Sequence, residues 1–237
     1  MGKKQRLLPN CEFCEAHLCF VLNELSKEEM EQVTLAKGGN IYKKGQIIFY
    51  EGTRPTGLYA ISKGMVKVYK IDATGKEHIV RLAREGDILG YRALITNDVY
   101  SAFASPLIES TICFIPKETF LNLMESNSQL SMRIVQLLAQ DLKNAEERLA
   151  KIAQKSVRER LAETLLILRE FYGTENDQAT LRAQLSRSDL AHYVGTATET
   201  VIRLLTEFKD HGLVEIQGRK IRLLQPHKLA HIANLYD

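Results

Sequence analysis

Between Gly38 and Pro116 the apolar residues come in short runs: Ile47-Ile48-Phe49, Leu58-Tyr59-Ala60-Ile61, Met65-Val66-Lys67-Val68-Tyr69, Ile79-Val80-Arg81-Leu82 and Ile112-Cys113-Phe114-Ile115. Glycine-bearing turns punctuate them at Lys44-Gly45, Glu51-Gly52, Lys63-Gly64, Thr74-Gly75 and Glu85-Gly86-Asp87. Short strands at that rhythm predict a small antiparallel roll or barrel, and the βαβ alternation of a parallel sheet is not visible. On either side the period turns helical. Leu22 to Leu35 reads as a short helix in which Ser26-Lys27-Glu28-Glu29 resembles a capping box. Pro116 suits the first position of another.

Further along, Val135, Leu138, Leu142, Ala145, Leu149 and Ile152 follow a 3-4-3-4-3 spacing. That is the seam of a coiled coil and predicts a homodimer. Each buried Leu or Ile contributes about 1.5–3 kcal/mol, enough over such a seam to sustain pairing. Ile134 and Leu137 fall off the seam and are expected to face the roll, while Asp141, Lys143, Asn144, Glu146, Glu147 and Arg148 read as a solvated face.

The last third is compact. A helix from Val157 to Phe171 follows Ser156 and ends at Gly173, and the polar stretch Thr174 to Gln178 reads as a loop. Ser188 to Val194, closed by Gly195, and Thr198 to His211, closed by Gly212, are two helices joined by the turn Thr196-Ala197. This is the helix-turn-helix signal. A hairpin turning at Gln217-Gly218-Arg219 supplies a wing. Arg187, Arg203, Lys209, Arg219, Lys220 and Arg222 concentrate positive charge here and predict phosphate contact. Base contact is assigned to the start of the second helix. Arg187, Thr198, Glu199, Ile202 and Arg203 are the candidate DNA-binding residues. Glu199 and Arg203, four apart, share one helix face; Glu accepts from cytosine N4 and Arg donates to guanine O6/N7. Ile202 offers methyl groups to a thymine methyl.

Composition narrows the partners. The 237 residues are 45% apolar and carry a formal net charge of only +3, so nucleic-acid affinity has to come from a local patch. No run approaches the eighteen apolar residues of a membrane span, and Met1 to Arg6 has no secretory character. A cytoplasmic chain with reduced thiols is expected. Of four cysteines, Cys11, Cys14 and Cys19 crowd the N-terminal arm and Cys113 lies in a strand-like run. That is the ligand count of a four-thiolate site, which holds either a [4Fe–4S] cluster or a structural zinc.

The order of roll, seam helix and winged helix-turn-helix resembles the CRP superfamily of transcription regulators over nearly the whole chain. Leu58-Tyr59-Ala60-Ile61, Gly86-Asp87-Ile88-Leu89-Gly90, Ile115-Pro116 and Glu199-Thr200-Val201-Ile202-Arg203-Leu204-Leu205 carry the likeness. With the cysteines it is similar to the FNR-type oxygen sensors. The resemblance implies an α+β fold: residues 1–127 as cysteine arm and antiparallel β-roll, 128–155 as dimerisation helix, 156–237 as winged helix-turn-helix. It also implies one [4Fe–4S] cluster per subunit on Cys11, Cys14, Cys19 and Cys113, loss of DNA binding on attack by oxygen or nitric oxide, inverted TTGA-like half-sites, and RNA polymerase as a further partner. Cyclic-nucleotide binders of the superfamily use a glutamate and an arginine where this chain has Tyr91 and Tyr100, so cAMP is not expected as effector. FNR-type members carry an acidic residue at the seam position of Ala145, which implies a dimer less dependent on the cluster.

Two other readings stay open: a regulator with structural zinc and another small molecule in the roll, and an iron–sulfur electron carrier or enzyme. Against the enzyme stand six scattered histidines (His17, His78, His192, His211, His227, His231) and the lack of a Ser/His/Asp or phosphate-loop constellation.

Overall fold

The computed structural model describes residues 21–235. The chain divides into two compact units: one of the chain up to Asp72 with Val80–Leu142, the other of Ala73–Ile79 with Lys143 onward.

In the first unit, a 3₁₀ turn (Leu22–Glu24) precedes helix α1, Lys27–Ala36. The Ser26–Glu29 capping box is formed: Glu29 N donates to Ser26 Oγ at 3.2 Å, and Ser26 N donates to the Glu29 carboxylate at 2.8 Å. Strands β1 (Gly38–Tyr42), β2 (Gly57–Lys63), β3 (Met65–Ile71), β4 (Glu77–Arg84) and β5 (Ile88–Leu89) follow, then helix α2 (Tyr91–Thr96), β6 (Phe103–Pro106) and β7 (Ser110–Pro116). They form two antiparallel sheets, ordered β1-β7-β2-β5 and β4-β3-β6. Gly64, at φ +118°, makes the tight turn from β2 to β3; a Cβ there would lie 2.1 Å from the Ser110 hydroxyl, so only glycine fits. The run Ile47-Ile48-Phe49 forms an isolated bridge, Phe49 to Ala104, instead of a strand, because Ile48 and Phe49 turn inward as core side chains.

Period-2 alternation sorts the four-stranded sheet into two faces. Ile61 and Ile112 join Ile48, Phe49, Val66, Val68 and Ala104 inside the roll. Leu58, Ala60, Cys113 and Ile115 join a second cluster under the helices, with Val21, Leu22, Val33, Phe120, Leu123, Leu130 and Ile134. Helices α3 (Lys117–Ser126) and α4 (Ser128–Gln154) supply much of it. Pro116 is the N-cap of α3 and not its first residue.

The second unit contains α5 (Val157–Tyr172), α6 (Arg187–Val194), α7 (Thr198–Asp210), the wing strands β8 (Val214–Gln217) and β9 (Lys220–Leu223), and α8 (Pro226–Ile232), which the sequence reading did not anticipate. Ser156 caps α5 and pairs with Glu159 in a second capping box. Glu163 is buried between Lys151 and Lys155, each 2.8 Å away, and Lys155 also donates to the carbonyl of Ala233. The turn between α4 and α5 is thereby tied to the C-terminal segment. Among the described residues no helix is long and apolar enough to cross a membrane.

Candidate nucleic-acid interface, pairing helix and thiol site

Ser186 starts α6: its hydroxyl accepts from Asp189 N at 3.0 Å and donates to the Asp189 carboxylate at 2.6 Å. Gly195, at φ +77°, ends it in the left-handed conformation that glycine adopts without strain. Helix α7 then buries Val201, Leu204, Leu205 and Phe208, one face at helical spacing. The opposite face is what remains: Glu199, Ile202 and Arg203 are exposed together, with Thr206 added one turn on. Thr198 sits half-buried at the first position of the helix.

Arg187 is placed differently from these. Its Nη2 donates to the Gly218 carbonyl at the wing turn, 2.8 Å away, while Nη1 is buried with no hydrogen-bond partner. Burial pushes this guanidinium below its ordinary pKa. Arg187 thus braces the wing, and only Arg203, Lys209 and Arg219 of the six basic residues are exposed without an ion pair among the described residues. Lys220 and Arg222 are paired with acids.

On α4, Val135, Leu142, Leu149 and Ile152 are 50–69% exposed in the single chain, and Ala145 is exposed beside them. Met132, 57% exposed, lies three residues before Val135 and extends the stripe. Leu138 is half-buried and also packs on the helix-side core, as does Leu137. Asp141, expected in solvent, is instead half-buried. The buried Tyr91 hydroxyl donates to its Oδ2, and Arg81 Nη1 lies 3.5 Å from that oxygen and 3.3 Å from the phenol. Burial pushes the Tyr91 hydroxyl up to about 12, with Arg81 opposing and the bond to Asp141 adding, so it remains a donor. Nothing in the apolar periodicity marks this network, because its members are far apart in sequence.

Tyr100 fills the roll. Its ring stacks on Phe49 with centroids 4.2 Å apart, and its hydroxyl donates to Gly57 O at 3.4 Å. Burial, with Tyr59 alongside, pushes that hydroxyl well above its ordinary pKa. Tyr91 and Tyr100 thus set buried rings and hydroxyls at the two positions compared above with a glutamate and an arginine.

Cys113 is 7% exposed and belongs to the helix-side cluster together with Val21 and Leu22. Cys11, Cys14 and Cys19 lie outside the described residues. Elsewhere in the described residues, Glu77, Asp189 and His192 bring metal-type ligand atoms within 4.8 Å of one another. Asp189 is engaged by the Ser186 cap, and His192 Nδ1 to Glu77 at 3.5 Å is an ion-pair geometry.

Known proteins agree with this architecture. Residues 40–127 match the cyclic nucleotide-binding domain family and residues 159–232 the Crp-like helix-turn-helix domain. The fumarate and nitrate reduction regulatory protein of Vibrio cholerae serotype O1 is 30% identical over 230 residues, 95% of this chain and 91% of that protein. The chain belongs to the CRP/FNR family of transcription regulators. The anaerobic regulatory protein of Pasteurella multocida is also 30% identical, over 90% of this chain and 79% of its own length. Among solved structures, FixK2 from Bradyrhizobium japonicum shares the fold with a TM-score of 0.75 at 22% identity, covering 83% of this chain and 96% of that one. As a CRP/FNR regulator the protein binds DNA, and it is not an enzyme.

Proposed function

We propose that this CRP/FNR regulator is a homodimeric oxygen or nitric oxide sensor with one [4Fe–4S] cluster per subunit, held by Cys11, Cys14, Cys19 and Cys113. The observation that carries this reading is the face on which Cys113 stands. It looks away from the roll interior, into the cluster that also holds Val21 and Leu22, the first of the described residues. Cys19 is two positions before Val21 in the sequence, and that length of extended chain spans at most about 7 Å. Soft thiolates fit iron–sulfur and zinc alike. The name anaerobic regulatory protein, borne by a relative, favours the former.

When bound, the cluster supplies an oxygen-labile redox centre. The chain's own residues connect it to DNA. Leu130 and Ile134 of α4 share the core of Cys113, while Val135, Leu142, Ala145, Leu149 and Ile152 of the same helix face outward for pairing. A change at the thiol therefore acts on the packing of the helix that pairs the subunits, and binding shifts by population. Paired α7 helices, about 34–36 Å apart, enter successive major grooves. There Glu199 and Arg203 read cytosine and guanine of inverted TTGA-like half-sites, and Ile202 packs on a thymine methyl. RNA polymerase is the partner in transcription. Cyclic AMP is not the effector in this reading, since Tyr91 and Tyr100 offer no cation to a cyclic phosphate and Arg81 is engaged by Asp141.

Protein isolated without oxygen is expected to contain about four iron and four sulfide per chain. Cys113→Ser and Cys11→Ser are each expected to lose most of it. A colourless protein holding about one zinc per chain would establish the structural-metal reading instead.

A further inference from the structure

The wing carries its own counter-charge. After α5 the chain returns alongside β9: Leu181 N donates to Ile221 O at 2.9 Å and Leu223 N to Ala179 O at 3.0 Å, with Thr180 bridged to Arg222. This pairing sets Glu175 and Asp177 against the wing. Lys220 Nζ is 2.9 Å from Glu175 Oε1. Arg222 is 3.5 Å from Asp177 and 3.4 Å from Glu215, its register partner on β8. Asp177 is fixed by the Thr180 hydroxyl and the backbone N–H groups of Thr180 and Ala179, which hold its carboxyl down at about 2. Three carboxylates thus surround two cations.

We infer that Glu175, Asp177 and Glu215 mask Lys220 and Arg222 from DNA phosphate, leaving Lys209 and Arg219, beside the base-reading Arg203, as the exposed cations of the six without an ion pair among the described residues. The inference rests on DNA binding by the unit. Each exposed pair is weak by itself. The masking is one of field: a phosphate approaching a cation with a carboxylate about 3 Å behind it meets a dipole, well inside the roughly 8 Å Debye length of physiological salt. Such a cation releases little of the DNA counterion atmosphere, which drives sequence-independent binding. Base contacts from α7 do not pass through the wing, so the device lowers the sequence-independent part of the affinity, common to all sites, and leaves discrimination to α7.

The test is the salt dependence of binding by the full chain to a duplex of random sequence, followed by fluorescence anisotropy. Glu175→Gln is expected to steepen the slope of log K against log salt by about 0.9, one phosphate contact, and to raise affinity about eightfold at 0.1 M. Glu215→Gln, on a different segment, is expected to act in the same direction through Arg222. In the wild type Arg219→Gln should flatten the slope and Lys220→Gln should not; in the Glu175→Gln background Lys220→Gln should. Unchanged slopes in both Gln variants, with Arg219→Gln still flattening, would overturn the masking while leaving DNA binding intact. So would a Lys220→Gln effect in the wild type equal to that of Arg219→Gln.

Discussion

Removing one oxygen atom, as Tyr91→Phe, should loosen the pairing helix from the roll. The Tyr91 ring is buried in the helix-side core, and phenylalanine keeps that packing. What is lost is the hydroxyl that donates to the carboxylate of Asp141, whose side chain is 17% exposed. A hydrogen bond to a charged group contributes about 1.5–3 kcal/mol. Because Asp141 keeps Arg81 at 3.5 Å, a value of about 2 kcal/mol is expected. In a unit of about 135 residues that lowers the melting midpoint by about 7 °C. Asp141→Asn strips the counter-charge from Arg81, itself 21% exposed, and should cost about 3 kcal/mol, the lower end for a broken buried pair. The decisive measurement is a double-mutant cycle by calorimetry on the transition of the roll unit. A coupling of about 1–2 kcal/mol is expected for groups in one network. Additive losses, or a Tyr91→Phe midpoint within 1 °C of wild type, would refute the idea that this oxygen links the roll to α4.

Three further outcomes are expected. Leu149→Glu, on the outward stripe of α4, should convert the dimer to a monomer at micromolar concentration in sedimentation velocity, since it buries a charge at the pairing face. Glu163→Ala should cost about 3 kcal/mol in denaturant unfolding, because it leaves the half-buried Lys155 with the Ala233 carbonyl but without its carboxylate, while Lys151 keeps contact with water. The Glu163 carboxyl is pushed up by burial but held, on balance, below its ordinary 4.5 by Lys151 and Lys155, so its contribution is complete above pH 4.5 and lost as pH falls through the lowered value; a stability–pH profile indifferent to Glu163→Ala would contradict this. Glu199→Ala should relax selection at one cytosine of each half-site by about 1–3 kcal/mol, read by selection from a random DNA library, while Arg219→Ala weakens all sequences alike.

How much of this was legible in the chain follows from how local each signal is. The capping box at Ser26, the glycine that closes α6, and the amphipathic period of α7 involve residues three to seven apart. A strand face alternates every second residue, and a coiled-coil seam repeats every three or four, so the roll and the pairing stripe were written in the sequence too. The exposed trio Glu199, Ile202 and Arg203 followed from the same period, because whatever α7 does not bury it must show. Long-range polar partnerships have no such period. Asp141 occupies a helix position that reads as solvent-facing, and only packing of α4 on the roll brings it to Tyr91 and Arg81, fifty and sixty residues away. Lys220 and Arg222 count as free positive charge until the return of the chain after α5 sets Glu175 and Asp177 beside them. The bond from Arg187 to the Gly218 carbonyl, across thirty-one residues, is likewise invisible in the sequence. Apolar burial is set by pattern, since any neighbour of the right size satisfies it; a hydrogen bond or ion pair requires one particular atom within about 3 Å, and only the tertiary fold decides which atom that is.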